Sequence, residues 1–310
     1  MDALTILATT SSFGTESPRL LEDLRELGLK VVLNPWGRKL TEAEISDLLQ
    51  HHRPVGLLAG TEPITRKVLE EGRSYLRVIS RVGAGWDNVD HDAAAEFGIR
   101  VYRTSGVLTQ AVAELALGLM LSGLRAISFH DRQLRQGLWK KHMGGLLQGK
   151  VVGLIGFGAI GRRVGELVAT FGARVVYYDP LPVTVPWAEP VSLTHLLNQA
   201  DIISLHAGGK QRILGPEEFQ VLARRGVILI NTARGELVDE ETLYACLRAG
   251  DVTYAGLDVF QEEPYCGPLS TLDNVVMTPH IGSYAREARL LMEETAINHL
   301  MAGLKEDGVL

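Results

Sequence analysis

The chain has 310 residues, 46% of them hydrophobic and 22% charged, which is the balance of a globular protein with room for two domains. Its formal net charge of −6 argues against a nucleic-acid partner. Two cysteines, Cys246 and Cys266, exclude a disulfide framework, and the acidic start of the chain does not resemble a signal peptide, so we expect a cytoplasmic protein. No membrane partner is expected, because the most apolar stretch, residues 111–127, carries Glu114 and Arg125.

The first hundred residues alternate between β-rich runs and helical patterns. Leucines at helical spacing predict a helix over residues 17–28, and the capping pair Thr41 and Glu44 begins another over 41–50. This alternation is typical of a parallel sheet with helices on both faces. The predicted strands are 4–10, 30–35, 55–60, 76–83 and 99–104.

A second series of the same kind follows residue 150. The polar, glycine-bearing segment 128–150 is predicted to connect the long helix 111–127 to this second sheet. The helical pattern over 283–304 comes after the second sheet ends, so we expect it to return to the first domain. The predicted strands of the second series are 151–155, 173–179, 200–206, 226–231, 252–259 and 274–279.

The run "GFGAIG" fits the G-x-G-x-x-G pattern and lies between an apolar strand and a helical stretch. Gly156 would allow a tight turn, Gly158 would let a pyrophosphate approach the backbone, and Gly161 would let the helix pack closely. Asp179 ends the next strand, where a carboxylate accepts hydrogen bonds from a ribose and repels a 2′-phosphate. The unit therefore predicts NAD rather than NADP. The alternative is that Asp179 only caps the turn before Pro180.

Four polar side chains follow strands of the second series: Arg234, Asp258, Glu263 and His280. They are expected at the edge of the sheet where ligands bind in open α/β folds. A buried strand precedes the arginine directly, so its guanidinium needs an anionic partner.

Each of these side chains also has a structural alternative. The arginine would pair with Glu236 or Asp239, and the histidine would occupy a turn after a proline. The glutamate would be a solvated loop residue, and its neighbour Glu262 is equally acidic.

The glycine motif, "NTARGELVDE", "AGLDVFQEEP", "TPHIGS" and "RVGAGWDNVD" together resemble the D-isomer-specific 2-hydroxyacid dehydrogenase family, over essentially the whole chain. The resemblance implies an NAD(P)-linked homodimer, joined through its nucleotide-binding domain, whose catalytic set falls on Arg234, Glu263 and His280. It also implies that Asp258 contacts the nicotinamide carboxamide, with a purely electrostatic role as the alternative. By motif position, further cofactor contacts fall on Ala159, Ile160, Ala207, Thr232, Ala233 and Ser283.

The chemistry of a 2-hydroxy acid suits these residue types. A guanidinium at Arg234 would grip the carboxylate and polarise the adjacent carbonyl. His280 would exchange a proton with the C2 oxygen, and Glu263 would fix the tautomer of its ring. The hydride chemistry belongs to the nicotinamide, and no metal site is expected.

Substrate recognition is predicted in the run "VGAG". Gly83, Ala84 and Gly85 would present free backbone N–H groups as an anion-binding nest, and a plain glycine turn is the alternative. Arg81 stands where phosphoglycerate dehydrogenases, the branch of the family that the chain most resembles, place a phosphate-binding arginine. The run "LLAGTEPIT" departs from that branch, because it lacks the second arginine that is usual there.

The sequence thus predicts an α/β protein of two Rossmann-like or flavodoxin-like domains with parallel sheets and an active site in the cleft between them. Residues 1–101 and 283–310 would form the substrate-binding domain, residues 102–282 the NAD-binding Rossmann domain, and the helix 111–127 the dimer contact. The first choice of substrate pair is 3-phosphoglycerate and 3-phosphohydroxypyruvate, as in serine biosynthesis. A glyoxylate or hydroxypyruvate reductase is the alternative, since "GVLTQAVAEL" resembles such enzymes. An NAD-sensing corepressor, similar to the C-terminal-binding proteins, is the alternative of another class.

Overall fold

The computed structural model describes residues 3–310 and divides the chain into two compact units. The first unit consists of the chain up to Leu108 together with Ser283–Leu310, and the second is Thr109–Gly282. The first boundary lies after Leu108 rather than after residue 101, because a strand that completes the first sheet spans residues 100–103.

The first unit contains a five-stranded parallel sheet in the order β2-β1-β3-β4-β5. Its central strands are continuous apolar runs, as expected for strands that helices cover on both faces. The direction of the strand order reverses between β1 and β3, which makes this gap the topological switch point of the sheet. The elements are β1 Thr5–Ala8, α1 Arg19–Glu26, β2 Lys30–Leu33, α2 Glu42–His52, β3 Gly56–Ala59, α3 Arg66–Gly72, β4 Val78–Arg81, α4 His91–Glu96 and β5 Arg100–Arg103.

The second unit contains a seven-stranded parallel sheet in the order β12-β11-β10-β9-β6-β7-β8. From β6 the chain first adds β7 and β8 on one side and then adds β9 to β12 on the other side, as in the Rossmann fold. This strand order confirms the predicted fold class. The elements are α5 Thr109–Arg125, α6 Ile127–Arg135, β6 Val151–Ile155, α7 Ala159–Thr170, β7 Arg174–Tyr178, β8 Ala188–Pro190, α8 Leu193–Gln199, β9 Ile202–Leu205, α9 Pro216–Val221, β10 Val227–Asn231, α10 Glu240–Ala249, β11 Val252–Leu257 and β12 Val275–Met277.

The last helix, α11, spans Arg286–Glu306 and contacts β3, β4 and β5 of the first unit. Its buried residues Arg289 and Glu293 form an ion pair of 2.9 Å. Glu293 also accepts the N–H of Gly14 at 2.9 Å, and Arg289 donates to the hydroxyl of Thr10 at 2.6 Å. These contacts tie the helix to the loop after β1.

The segment predicted as a plain connection, 128–150, contains most of helix α6. The long helix α5 stops at Arg125 because Ala126 adopts a left-handed backbone conformation, with a φ of 49°. The apolar face of α5 packs within its own unit, against α7, β10 and β11. The predicted dimer contact on this helix stays a prediction. Its buried residues are Val112, Ala113, Ala116, Leu119, Met120 and Leu124.

Within residues 3–310, no single helix is both long enough and apolar enough to cross a membrane. The pair α5 and α6, bent by 62°, meets those criteria only when the two helices are counted together.

Candidate active site

The glycine turn between β6 and α7 has the geometry that a dinucleotide requires. Gly156 has a φ of +93°, and a Cβ there would overlap the backbone of Ala207. A Cβ at Gly161 would overlap the carbonyl of Gly156, whereas Gly158 faces open space with no atom within 4 Å. The first turn of α7 has no acidic residue and no side-chain cap, so its N–H groups suit an anion.

Asp179 is fixed beside this turn. One carboxylate oxygen accepts the N–H of Phe157 at 2.7 Å, and the other accepts the N–H of Leu181 at 2.9 Å. The residue therefore caps the turn at Pro180, as the alternative interpretation held, and is also anchored to the glycine turn. Its contact with a ribose stays a prediction.

We expect Asp179→Ala to narrow the preference for NAD over NADP by about tenfold or more, because like-charge repulsion of a 2′-phosphate costs several kcal/mol. The measurement is the ratio of kcat/KM for the two cofactors. Asp201→Ala is the matched control, since Asp201 also accepts a backbone N–H, from Val151 at 2.9 Å. An undiminished preference in the Asp179 variant would mean that the ribose is recognised elsewhere.

The turn after β10 holds Arg234 in an extended conformation. The amide of the buried Asn231 accepts the N–H of Ala233 at 3.1 Å and donates to the carbonyl of Arg234 at 2.9 Å. The guanidinium of Arg234 donates to the carbonyl of Ala233 at 2.7 Å. The two acids proposed as alternative partners have cations of their own, Glu236 with Lys210 at 4.0 Å and Asp239 with Arg212 at 2.8 Å.

Gly235 packs this turn directly against the segment that leads to Glu263. A Cβ at Gly235 would overlap the carbonyl group of Phe260 and the backbone nitrogen of Gln261. Only glycine allows this approach, so the Arg234 turn and the Glu263 segment are held together.

His280 and Glu263 form the predicted pair. Nδ1 of His280 lies 2.9 Å from Oε2 and 3.1 Å from Oε1 of Glu263, and the N–H of Phe260 donates to Oε1 at 3.3 Å. The carboxylate therefore fixes Nδ1 as the protonated nitrogen, and Nε2 is the ring atom that it does not contact. His280 has a left-handed φ of 54°, a conformation that is uncommon for residues other than glycine.

Asp258 has a structural role that the sequence did not reveal. It is 1% exposed, and its carboxylate accepts the hydroxyl of Thr278 at 2.5 Å and the N–H groups of Ile281 and Gly282 at 2.8 Å each. Burial raises the pKa of the Asp258 carboxyl, and these hydrogen bonds oppose the rise. Asp258 thus shapes the loop that carries His280, and its contact with the nicotinamide stays a prediction.

The predicted nest after β4 is only partly available. The N–H of Gly83 donates to the hydroxyl of Thr104 at 2.8 Å, so the expectation that it is free is wrong. The cause is tertiary, since Thr104 reaches it from the end of the neighbouring strand β5. Ala84 accepts a hydrogen bond from Arg103 at 3.3 Å through its carbonyl, and Gly85 follows it in the loop. The guanidinium of Arg81 donates to the carbonyl of Val82 at 2.6 Å.

The remaining predicted cofactor residues lie near carboxyl ends of strands of the second sheet or in the loops that follow. Ala207 comes two residues after β9, and Ser283 follows the His280 loop. The others are Ala159 and Ile160, which begin α7, and Thr232 and Ala233, which follow β10.

His206, next to Ala207, is structural. Its Nε2 lies 2.9 Å from the hydroxyl of Ser204, and burial lowers the pKa of His206 to about 3. The folded protein therefore keeps this ring neutral at pH values where the unfolded chain protonates it. The neutral His206 ring makes its full contribution to folding stability above the ordinary histidine pKa of about 6.5. This contribution is lost progressively as the pH falls toward 3.

We expect the free energy of unfolding of the His206→Gln variant to depend less on pH than that of the wild type. Between pH 6 and pH 4 the free energy of unfolding of the wild type should fall by about 1.4 kcal/mol more per pH unit than that of the variant. Urea unfolding across this range measures the slopes, with His195→Gln, an exposed histidine on α8, as the control. Parallel slopes in wild type and His206→Gln would contradict the assignment.

The chain is similar to known proteins in sequence and in fold. Residues 117–282 match the model of the D-isomer specific 2-hydroxyacid dehydrogenase, NAD binding domain. A hydroxypyruvate reductase from Thermotoga maritima is 42% identical over 73% of this chain and 76% of its own length. A D-3-phosphoglycerate dehydrogenase from Methanocaldococcus jannaschii is 39% identical over 81% of this chain, and the match spans 49% of that relative. The crystal structure of the TT0316 protein from Thermus thermophilus superposes with a TM-score of 0.90 at 40% identity, covering 98% of this chain and 97% of that one.

The chain therefore belongs to the D-isomer-specific 2-hydroxyacid dehydrogenase family, and its second unit is an NAD-binding domain. The names of its relatives include both phosphorylated and unphosphorylated substrates.

Proposed function

We propose that the protein interconverts a D-2-hydroxy acid and its 2-oxo acid, with NAD as the redox partner. The observation that carries the proposal is the His280–Glu263 pair, 2.9 Å apart, in the same compact unit as the glycine turn and the Arg234 turn. An acid–base pair, a guanidinium and a dinucleotide turn are together the groups that this reaction needs.

The glycine turn fits NAD because Gly158 leaves open space at the uncapped start of α7. The N–H groups of α7 would hold the pyrophosphate, and Asp179 would accept the ribose hydroxyls. When bound, the nicotinamide supplies or accepts the hydride.

His280 would move the proton. In the oxidation, the hydroxyl proton passes to Nε2 of the neutral ring while the C2 hydrogen leaves with its electron pair, and the C2–O bond becomes a carbonyl. The resulting imidazolium is stabilised by Glu263 through Nδ1. In the reduction, the same Nε2–H donates to the oxygen of the former carbonyl.

Arg234 would hold the substrate. Its guanidinium presents donors in a rigid planar fork, which matches a carboxylate and the neighbouring C2 oxygen. The contact with the carbonyl of Ala233 orients the fork, and the positive charge polarises the carbonyl as negative charge develops on its oxygen.

Two classes of substrate, one with and one without a phosphate group, are each supported by one observation. Arg81, at the end of β4, favours the phosphorylated pair, 3-phosphoglycerate and 3-phosphohydroxypyruvate. The hydroxypyruvate reductase relative favours a small acid without phosphate.

A substrate panel tests the proposed reaction. The protein is mixed with NADH and separately with phosphohydroxypyruvate, hydroxypyruvate, glyoxylate and pyruvate, and the absorbance of NADH is followed. We expect turnover with at least one acid and its loss in the His280→Ala variant. NADH binding without turnover of any acid would favour the corepressor-like alternative and overturn the proposal.

A further inference from the structure

Glu263 lies in a short exposed loop that is closed at its base by two stacked rings. The ring of the buried Phe260 stacks on that of Tyr265, with the centroids 4.4 Å apart, and the hydroxyl of Tyr265 accepts the N–H of Leu269 at 3.1 Å. The residues between the two rings, 261–264, are exposed. The position of the Glu263 carboxylate therefore depends on contacts that these exposed residues make.

Gln261 attaches this loop to the segment that follows Arg234. Its side-chain NH₂ group donates to the carbonyl of Val238 at 2.7 Å, and its backbone N–H donates to Oε1 of Glu240 at 2.7 Å. Val238 follows the single 3₁₀ turn Gly235–Leu237, and Glu240 begins α10. The backbone and the side chain of Gln261 are thus both held by a segment that starts directly after the arginine.

The N-terminus of α10 is capped without Glu240. Asp239 is the N-cap residue, and its Oδ1 accepts the N–H and the hydroxyl of Thr242 at 2.9 and 2.8 Å. The first turn contains two acids, of which Glu241 is exposed and Glu240 is half-buried. Glu240 is distinguished from its neighbour by this burial and by its hydrogen bond to the loop that carries Glu263.

The hydrogen bond from Gln261 does not require a charge on Glu240. Burial raises the pKa of the Glu240 carboxyl, the hydrogen bond from Gln261 lowers it, and the charge of Glu262 raises it. Both the ionised and the neutral carboxyl have an oxygen that accepts an N–H. A glutamine at this position would keep such an oxygen as well.

The peptide group that Glu240 holds is close to the acid–base pair. This peptide, the carbonyl of Phe260 and the N–H of Gln261, is the one against which Gly235 packs. The N–H of Phe260 donates to Oε1 of Glu263 at 3.3 Å, and Nδ1 of His280 lies 2.9 Å from Oε2 of the same carboxylate. A shift of the peptide would move the carboxylate relative to the imidazole, and a misplacement of about 1 Å can lower a rate by about 10²-fold.

We propose that Glu240 is a positioning residue. By accepting the N–H of Gln261, it keeps the Glu263 carboxylate within hydrogen-bond distance of Nδ1 of His280. The inference rests on the proposed function, and it adds to the reaction a residue that lies outside the acid–base pair and the guanidinium.

The kinetic test compares wild type with three variants, using the acid that the wild type reduces fastest. Glu240→Ala removes the acceptor, Glu240→Gln keeps an oxygen but no charge, and Glu241→Ala removes the same charge from the same helical turn. We expect Glu240→Ala to lower kcat by about tenfold, the usual effect of leaving one hydrogen bond unmade. The other two variants should stay within about twofold of wild type.

A fourth variant, Glu240→Asp, keeps the charge and shortens the side chain by one methylene group, so that its oxygen falls short of Gln261. It should lose kcat as Glu240→Ala does, and it serves as the test if the alanine variant does not fold. A titration with NADH should give wild-type affinity in every variant, because the glycine turn is formed by β6 and α7.

A background without the Glu263 carboxylate separates positioning from a general structural effect. In Glu263→Gln the anionic partner of Nδ1 is absent, so adding Glu240→Ala should lower kcat by less than about twofold further. A merely structural role of Glu240 would give the same loss in both backgrounds.

A second arm needs no turnover. Crystal structures of wild type and of the variants give the distance between Nδ1 of His280 and the nearer carboxylate oxygen of Glu263. We expect a hydrogen bond of about 3 Å in wild type, Glu240→Gln and Glu241→Ala, and a separation beyond about 3.5 Å in Glu240→Ala and Glu240→Asp.

The inference would be overturned by a wild-type kcat in Glu240→Ala, by equal losses in Glu240→Ala and Glu240→Gln, or by equal losses in Glu240→Ala and Glu241→Ala. It would also be overturned by crystal structures in which the contact between His280 and Glu263 persists without the Glu240 oxygen. Absence of turnover by the wild type with every acid would overturn the proposed reaction instead, and the crystal structures would still decide the role of Glu240.

Discussion

His280→Ala is expected to lower kcat by about 10²- to 10⁴-fold, which is the usual contribution of a positioned acid–base group. The variant has no group to take the proton from the substrate hydroxyl in the oxidation or to return it in the reduction. The affinity for NADH should stay close to that of wild type, because the glycine turn and Asp179 hold their own contacts within β6, α7 and β7.

Steady-state kinetics in both directions and a fluorescence titration with NADH measure the two quantities. A near-normal kcat would refute proton transfer by His280. A large loss of NADH affinity would show instead that the substitution had disturbed the loop organised by Asp258, whose backbone carbonyl accepts the N–H of His280 at 2.9 Å.

Arg234→Lys is expected to lower kcat/KM by about 10²- to 10³-fold, with losses in both kcat and substrate affinity. Lysine keeps the charge, but a single ammonium cannot contact the carboxylate and the C2 oxygen in the planar geometry of the fork. The loss should therefore exceed what charge alone would explain.

The control for this variant is Arg212→Lys. Arg212 is exposed and pairs with Asp239 at 2.8 Å, where a point charge serves equally well, so the kinetics of Arg212→Lys should remain those of wild type. Wild-type kinetics in Arg234→Lys would contradict the role assigned to the guanidinium.

The strands of both sheets were predictable because buried parallel strands are continuous apolar runs. Residues 5–8 and 56–59 are examples, and they differ from the predicted ranges only at their ends. Strand β8 escaped prediction because it has three residues and includes a proline, Pro190, at the sheet edge. Helix α6 escaped because its sequence is polar and the break before it depends on one left-handed alanine, Ala126.

The contacts within the candidate site also divide into those that sequence motifs predicted and those that depend on the tertiary structure. The pairing of Glu263 with His280 was predicted from motifs, and the structure brings the two residues together. The loss of the Gly83 N–H to Thr104 was not predictable, because the two residues belong to different strands. The buried contact between Glu62 and Thr9 was missed for a similar reason, since 53 residues separate the two in the chain.

Asn231 and Gly235 were also missed, although both lie inside a motif that the sequence analysis quoted. The signal was present in the pattern: an amide just before a turn and a glycine just after an arginine. Their roles depend on what the turn packs against, and the packing partner Phe260 belongs to a loop that only the folded structure brings near.

The division of the chain into two units has an evolutionary consequence. The acid–base pair, the guanidinium and the dinucleotide turn all belong to residues 109–282, whereas the predicted substrate contacts Arg81, Gly83, Ala84 and Gly85 belong to the other unit. Mutations that change which substrate acid is bound can accumulate in the other unit without disturbing hydride and proton transfer. Descendants of one ancestor can then come to consume different acids while they keep a single reaction.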